Sequence, residues 1–292
     1  MATAAIAHDF QQFAVRPVTP NIGAEIDGIN LGARLSDSAI EDIRAALLRY
    51  KVLFFRDQDI TTEQHIAFGR RFGELEVHPS TPDDQQHPEI FHLRTRTDQL
   101  PEIDGRRIGA NVWHSDVTWR AQPSLGSILM GRTIPEVGGD TMWADMVAAY
   151  RGLSPAMKDW VSTLTAIHDG SIFAVLAGNS RESFWENFPP QEHPVVRTHP
   201  ETGERALYVN AAFTTHIKGL DKKESDWLLD HLFAQAAIPE YQVRFSWRRN
   251  SIAFWDNRSC QHYAIADYAP AARNMERVTI IGDRPYFEPD CG

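Results

Sequence analysis

Gln242-Val243-Arg244-Phe245-Ser246-Trp247-Arg248-Arg249-Asn250-Ser251-Ile252-Ala253-Phe254-Trp255 reads as two strands and the turn that joins them. Val243, Phe245 and Trp247 alternate with polar residues, so one apolar row lines one face of a half-buried strand. Arg249-Asn250 supplies the turn, and residues 251–255 return as a largely apolar strand. Further strand-like runs occur at 51–55, 127–132, 206–210 and 277–282. Helices are fewer. Ser38 and Glu41 have capping-box spacing ahead of Ile43, Leu47 and Tyr50; Thr61 and Gln64 have it ahead of a helix ending near Gly73. Ser154-Pro155 is an N-cap followed by proline at the first helical position, with Met157, Trp160, Val161 and Leu164 behind it. Residues 222–237 carry Trp227, Leu228, Leu232 and Phe233 at helical spacing. These helices do not alternate with strands as βαβ units, so a doubly wound sheet is disfavoured. The expected class is mainly β with flanking helices, a jelly roll in a single domain spanning 1–292. Residues 79–110, rich in Pro, Asp, Gln and Arg, read as a long lid loop.

The 292 residues are 42% hydrophobic and 23% charged, which excludes a disordered or low-complexity chain. Lys and Arg number 29 against 39 Asp and Glu, a net charge of −10 that disfavours nucleic acid as a partner. No apolar run reaches the roughly 20 residues of a membrane span, so a membrane partner is not expected either. The Ala-rich start lacks a basic segment and a long apolar stretch, and reads as a frayed terminus rather than a signal peptide. The two cysteines, Cys260 and Cys291, form no CxxC pair, which argues against a disulfide framework and for a reducing, cytoplasmic location.

Twelve histidines raise the question of a metal. Three of them precede an acid by two residues: His87-Pro-Glu89, His114-Ser-Asp116 and His199-Pro-Glu201. The first lies in the polar loop and the third runs into Thr202-Gly203-Glu204, so both read as solvated turns. His114-Ser-Asp116 sits in the apolar, β-favouring stretch Asn111-Val-Trp-His-Ser-Asp-Val-Thr-Trp119. In an extended segment residues i and i+2 share a face, so both could ligate one ion. Two His and one carboxylate on an octahedral ion leave three positions open, as non-haem Fe(II) oxygenases require. His262 is the candidate third ligand. Arg273 and Arg277 follow it, four apart at the start of a strand, and arginine's planar fork suits a carboxylate.

Taken together these residues resemble the Fe(II)/2-oxoglutarate-dependent dioxygenases of the taurine dioxygenase (TauD/TfdA) family over nearly the whole chain. The likeness begins at Asn21-Ile-Gly-Ala-Glu-Ile-Asp-Gly28 and continues through Val52-Leu-Phe-Phe-Arg-Asp57 and Arg71-Phe-Gly-Glu-Leu75 to Gly282-Asp-Arg-Pro285. Trp-His-x-Asp at 113–116, Gly-Gly-Asp-Thr at 138–141, Trp-Asp-Asn-Arg at 255–258, Gln-His-Tyr-Ala at 261–264 and the two arginines occur in family order. The resemblance implies a double-stranded β-helix core, Fe(II), 2-oxoglutarate and O2 as cosubstrates, and a homo-oligomer. It implies His114, Asp116 and His262 as metal ligands, and Thr141 and Arg273 on the far carboxylate of 2-oxoglutarate. It gives the substrate anion to Arg277 and His78, and substrate contacts to Val117, Phe173 and Phe213. The implied reaction converts 2-oxoglutarate to succinate and CO2 while hydroxylating a carbon beside the anion. Next to a sulfonate or sulfate ester, that product collapses to an aldehyde and sulfite or sulfate.

Where the taurine enzyme carries polar groups for an amine, this chain has Thr81, Ala110 and Phe173, with Ala174 at a matching aromatic position. The expected substrate is therefore a small organic anion with an apolar tail, an alkyl sulfonate or sulfate ester. An aryloxy carboxylate is the second choice, and Asp83 or Asp98 could restore an amine site. A halogenase is disfavoured by Asp116. From a different class, a non-catalytic metal-binding β-barrel would leave Thr141 and both arginines without a role.

Overall fold

The computed structural model describes residues 10–82, 85–94, 111–176 and 178–289, together with the backbone of two short strands, Glu102–Ile103 and Arg106–Arg107. Ala110, Asp83 and Asp98 lie outside the described residues. A seven-stranded sheet runs Ala14–Pro17, Ala24–Asp27, Val52–Phe55, Ile252–Asp256, Ser124–Thr133, Asn274–Ile281 and Phe91–Arg94. Its pairs are antiparallel except Ala24–Asp27 with Val52–Phe55. A three-stranded sheet, Gln242–Phe245, Thr141–Asp145 and Cys260–Ala264, packs against it. This is the expected mainly β architecture.

Alternation explains the two layers. Leu53, Phe55, Ile128, Met130, Ile252, Phe254, Val278 and Ile280 face the flanking helices in one core cluster. Their neighbours Val52, Phe54, Leu129, Ala253, Trp255 and Met275 face the smaller sheet and meet Trp143, Val243 and Phe245. The central strands are buried on both faces, which is why they read as apolar runs rather than alternating ones. Along the inner face the apolar row gives way to Ser127, Thr279 and Arg277, which are buried polar groups. That change marks where the fold opens into a site.

The helices follow their caps, with adjustments. Asp37–Tyr50 is capped by Ser36, which accepts from the Ala39 amide; Ser38 instead contacts the Ser36 hydroxyl. Thr62–Gly69 has the expected reciprocal Thr61/Gln64 box but stops before Gly73. A β-carbon on Gly69 would come within 3.0 Å of Val278, so the helix end rests directly on the sheet. Pro155–Val161 starts as expected under Ser154. Lys222–Ala234 is capped by an Asp221/Glu224 box and tightens into a 3-10 turn over Gln235–Ala237. Three short helices, Met146–Gly152, Ile172–Leu176 and Arg181–Trp185, were not expected. None is long enough to show a helical period. Two strands also shift: 206–210 is strand only at Arg205–Leu207, whereas the last strand begins at Asn274 and not Arg277. The expected loop at 79–110 contains Phe91–Arg94, which pairs with Asn274–Ile281 as an edge strand.

His199 corrects the reading of its segment as a solvated turn. It is 2% exposed, and its Nε2 pairs with Asp256 Oδ2 at 3.0 Å. Arg258 grips the same carboxylate and also reaches Glu201. Burial alone would raise the Asp256 carboxyl, but Arg258 and His199 outweigh it and hold it well below the usual range. The His87 ring, by contrast, is half-buried and pairs with the exposed Glu63 at 3.1 Å. His199→Ala should cost about 1.5–3 kcal/mol, a lost hydrogen bond to a buried charge, and lower Tm by several degrees. His87→Ala should stay within about 0.5 kcal/mol of wild type. Paired thermal melts check both; equal melting temperatures would contradict this placement of His199.

Candidate metal centre and anion pocket

His114, Asp116 and His262 come together with their ligand atoms within 4.8 Å of one another, all buried. Asp116 Oδ1 lies 4.0 Å from His114 Nε2 and 3.9 Å from His262 Nε2. Adjacent positions on an octahedral ion with bonds of about 2.1 Å lie about 3.0 Å apart, so the three side chains need to close in by about 1 Å to share one ion. The chain reaches this arrangement differently from the expected strand. Residues 114–116 form no strand. His114 instead makes an isolated bridge to His262, with reciprocal amide-to-carbonyl bonds of 3.1 and 2.8 Å. The chain then turns at Val117, whose φ of 48° is left-handed and costly for a β-branched residue.

The protonation states suit ligation. Burial is the main cause that lowers the basicity of both His114 and His262, keeping them neutral near pH 7. His114 Nδ1 donates to the Val112 carbonyl at 2.6 Å, which leaves the Nε2 lone pair free for a metal. Burial opposes ionisation of Asp116, but Arg277, the two imidazoles and Ser127 outweigh it and hold the carboxyl below its usual range. The donor set of two neutral imidazoles and one carboxylate suits a divalent transition metal with open positions.

Arg273 is buried beside the Gly138–Thr141 turn. A β-carbon on Gly139, whose φ is 73°, would come within 3.2 Å of Arg273 Cδ, so glycine lets the guanidinium stem pass. Its guanidinium lies 5.7 Å from the Tyr268 ring centroid. Thr141 is also buried, and its hydroxyl accepts from Trp247 Nε1 at 2.9 Å. Both residues proposed for the far carboxylate of 2-oxoglutarate thus flank one turn.

The five candidate substrate residues converge as well. Arg277 Nη1 donates to Asp116 Oδ1, and its guanidinium lies 5.1 Å from the Phe91 ring centroid. Phe91 meets His78 at a tilt, His78 meets Phe173, Phe173 meets Phe213, and Phe213 meets His114, with centroids 4.4–6.2 Å apart. Val117 and Phe213 share a buried cluster with Trp119, and Phe173, Phe184 and Phe188 pack against it. His78 Nδ1 accepts from the Ser80 amide at 3.2 Å, so Nε2 carries the proton and can donate. Burial, then Arg277 and Arg120, push His78 down to about 3, so it is neutral. Glu76 lies nearby, but its carboxylate pairs with Arg120 at 2.9 Å. Arg120 in turn covers the Trp119 and Phe188 rings. Thr81 Oγ1 is buried without a hydrogen-bond partner among the described residues.

Phe91, Trp119, Glu76, Arg120, Ser127 and Asn257 were not singled out in the sequence. Phe91 was hidden inside an apparent loop. Asn257 belongs to the quoted Trp-Asp-Asn-Arg motif, and its polarity between buried residues was the available signal.

Known proteins resemble this chain over nearly its whole length. The family described as "Taurine catabolism dioxygenase TauD, TfdA family" matches residues 14–279. An alkylsulfatase of Acinetobacter baylyi is 36% identical over 294 residues, covering 96% of this chain and 89% of that protein. An alpha-ketoglutarate-dependent sulfate ester dioxygenase of Pseudomonas putida is also 36% identical, covering 97% and 94%. A solved taurine dioxygenase structure from Burkholderia xenovorans superposes with a TM-score of 0.80 at 38% identity, covering 94% and 93%.

Proposed function

The chain belongs to the taurine catabolism dioxygenase TauD, TfdA family, and from that premise we propose that it oxidises an amine-free alkyl sulfate ester or sulfonate with Fe(II), 2-oxoglutarate and O2. It is a 2-oxoglutarate-dependent dioxygenase acting on a small anion. Fe(II), when bound, supplies the activation of O2 that couples decarboxylation of 2-oxoglutarate to oxidation of the substrate. The protein's residues do the rest. His114, Asp116 and His262 hold the metal on one face. Arg273 and Thr141 would take the far carboxylate of 2-oxoglutarate.

The observation that carries the substrate reading is Arg277. Its guanidinium is buried, touches the Asp116 carboxylate and is walled by aromatic rings. Because Arg277 touches a residue of the triad, an anion held there would bring the carbon next to it toward the metal-binding side chains. Hydroxylation of a carbon bearing a sulfate or sulfonate group gives a product that collapses to an aldehyde and sulfate or sulfite. The relatives named for sulfate esters support the same reading. Phe91, Phe173, Phe213 and Trp119 offer an apolar wall, and Glu76 is already paired, so nothing among the described residues there is placed for an ammonium. Burying an ammonium without a partner costs several kcal/mol. A reducing cytoplasmic location belongs to the same proposal, supported by the buried free thiol of Cys260.

Specificity constants for taurine, an amine-free alkanesulfonate of matched length and the corresponding alkyl sulfate test this. The amine-free substrates should lead taurine by roughly a hundredfold or more, about 3 kcal/mol. A preference for taurine would overturn the substrate reading, and an aryloxy carboxylate outpacing all three would favour the second choice.

His78 gives a further test. Because it is neutral above about pH 3, it acts as a hydrogen-bond donor and not as a charge. His78→Ala should raise the substrate KM by roughly 10–100-fold, one hydrogen bond to an anion. The pH profile of kcat/KM between pH 5 and 8 should keep its shape in the variant. Loss of an inflection in that window would show that a protonated His78 binds the anion.

A further inference from the structure

Asp116 is held through its backbone and at both carboxylate oxygens, with Arg277 Nη1 on Oδ1. Its Oδ2 accepts from Ser127 Oγ at 2.7 Å, and Asn257 Nδ2 lies 3.4 Å from it. Its amide donates to Asn257 Oδ1 at 3.1 Å. Asn257 is fixed in turn. Its Oδ1 also accepts from Trp255 Nε1 at 2.9 Å, and its Nδ2 donates to Ser124 Oγ and Ser127 Oγ, each at 3.0 Å. All these side chains are almost wholly buried. Asn257 is therefore a hub linking the end of Ile252–Asp256, the strand Ser124–Thr133 and the turn that carries Asp116.

We infer that Asn257 and Ser127 are positioning residues that make Asp116 a one-oxygen metal ligand. With Oδ2 turned to Ser127 and Asn257, Oδ1 is the oxygen nearest His114 Nε2 and His262 Nε2, and it also carries the Arg277 contact. The consequence is a coordination count. Three protein atoms on an octahedral ion leave three positions, two for a chelating keto acid and one more. A carboxylate free to bind through both oxygens would take one of them. A carboxylate hydrogen-bonded on its outer oxygen is also fixed in orientation, which is how such partners raise metal affinity.

This inference rests on the metal triad proposed above, and the experiment separates the two. Metal-free wild type, Asp116→Ala, Ser127→Ala and Asn257→Ala are titrated with Co(II), following the visible ligand-field absorption, and with Mn(II), following its magnetic resonance signal. Thermal melts of each metal-free protein report folding. Ser127→Ala removes only a hydroxyl and keeps the fold testable if Asn257→Ala unfolds. Expected are a 10–100-fold weaker Kd for Ser127→Ala and a larger loss for Asn257→Ala. Both should alter the Co(II) spectrum, because Oδ2 is released to the metal. The KM for 2-oxoglutarate should rise in Ser127→Ala even at saturating metal, a change that lost stability alone would not produce. If Asp116→Ala binds metal as wild type does, the triad itself is wrong. If Asp116→Ala loses metal while folded Ser127→Ala keeps the wild-type Kd, Co(II) spectrum and 2-oxoglutarate KM, the positioning role is overturned.

Discussion

Alanine at His262 is expected to abolish metal-dependent consumption of 2-oxoglutarate while the fold stands. The bridge between His114 and His262 uses backbone amides and carbonyls, which the substitution leaves in place. Asp116 keeps Ser127, Asn257 and Arg277 as partners, so no charge is stranded. The lost imidazole removes one of three protein ligands. Partners behind a ligand cost about 10–100-fold in metal affinity or activity when removed, and a ligand should exceed that. His114→Ala should behave alike. Metal content after dialysis and turnover at fixed Fe(II) measure the effect, with a melting curve as the folding control. Near-wild-type, iron-dependent turnover in either variant would contradict the assignment.

Arg273→Ala should raise the KM for 2-oxoglutarate by about a hundred- to several-thousand-fold. Arg273 is buried against Tyr268 and the Gly139 turn, so a carboxylate bound there is removed from water. A buried carboxylate that loses its cation costs roughly 3–5 kcal/mol, and each 1.4 kcal/mol is tenfold. Arg273→Lys should lose less but remain impaired, because lysine lacks the planar fork. Steady-state kinetics with 2-oxoglutarate varied at saturating metal and substrate decide it. An unchanged KM in Arg273→Ala would remove Arg273 from the cosubstrate site.

Much of the site was legible because its chemistry is carried by residue types that have few other uses in such places. His114, Asp116, His262, Arg273 and Arg277 were read from the chain and Thr141 from the family likeness; the fold brings the first three together and sets Arg277 against Asp116. The layering was legible for a related reason: strands such as Val52–Phe55 and Ile252–Asp256 are buried on both faces and so read as apolar runs. What the chain did not disclose depends on partners distant in sequence. His199 precedes turn-like signals, yet Asp256, more than fifty residues on and itself held by Arg258, draws it into the interior. Phe91 lies in polar surroundings, and only pairing with Asn274–Ile281 makes a strand of it. The route to the His114–Asp116 geometry was misjudged because spacing reports which residues can share a face. It does not report whether a strand or a bridge followed by a left-handed turn brings them there. Short helices such as Ile172–Leu176 are stabilised by packing against the aromatic cluster rather than by their own periodicity.

The most direct test follows both products at once: purified protein with Fe(II), 2-oxoglutarate, O2 and a linear alkyl sulfate lacking an amine, with succinate and inorganic sulfate quantified together. The chemistry proposed for this site predicts equimolar succinate and sulfate, with both lost when Fe(II), O2 or 2-oxoglutarate is omitted. Sulfate released without succinate would mean simple hydrolysis. An absence of 2-oxoglutarate consumption with every alkyl sulfate and sulfonate tested, by a folded protein that binds metal, would contradict the assignment of this site.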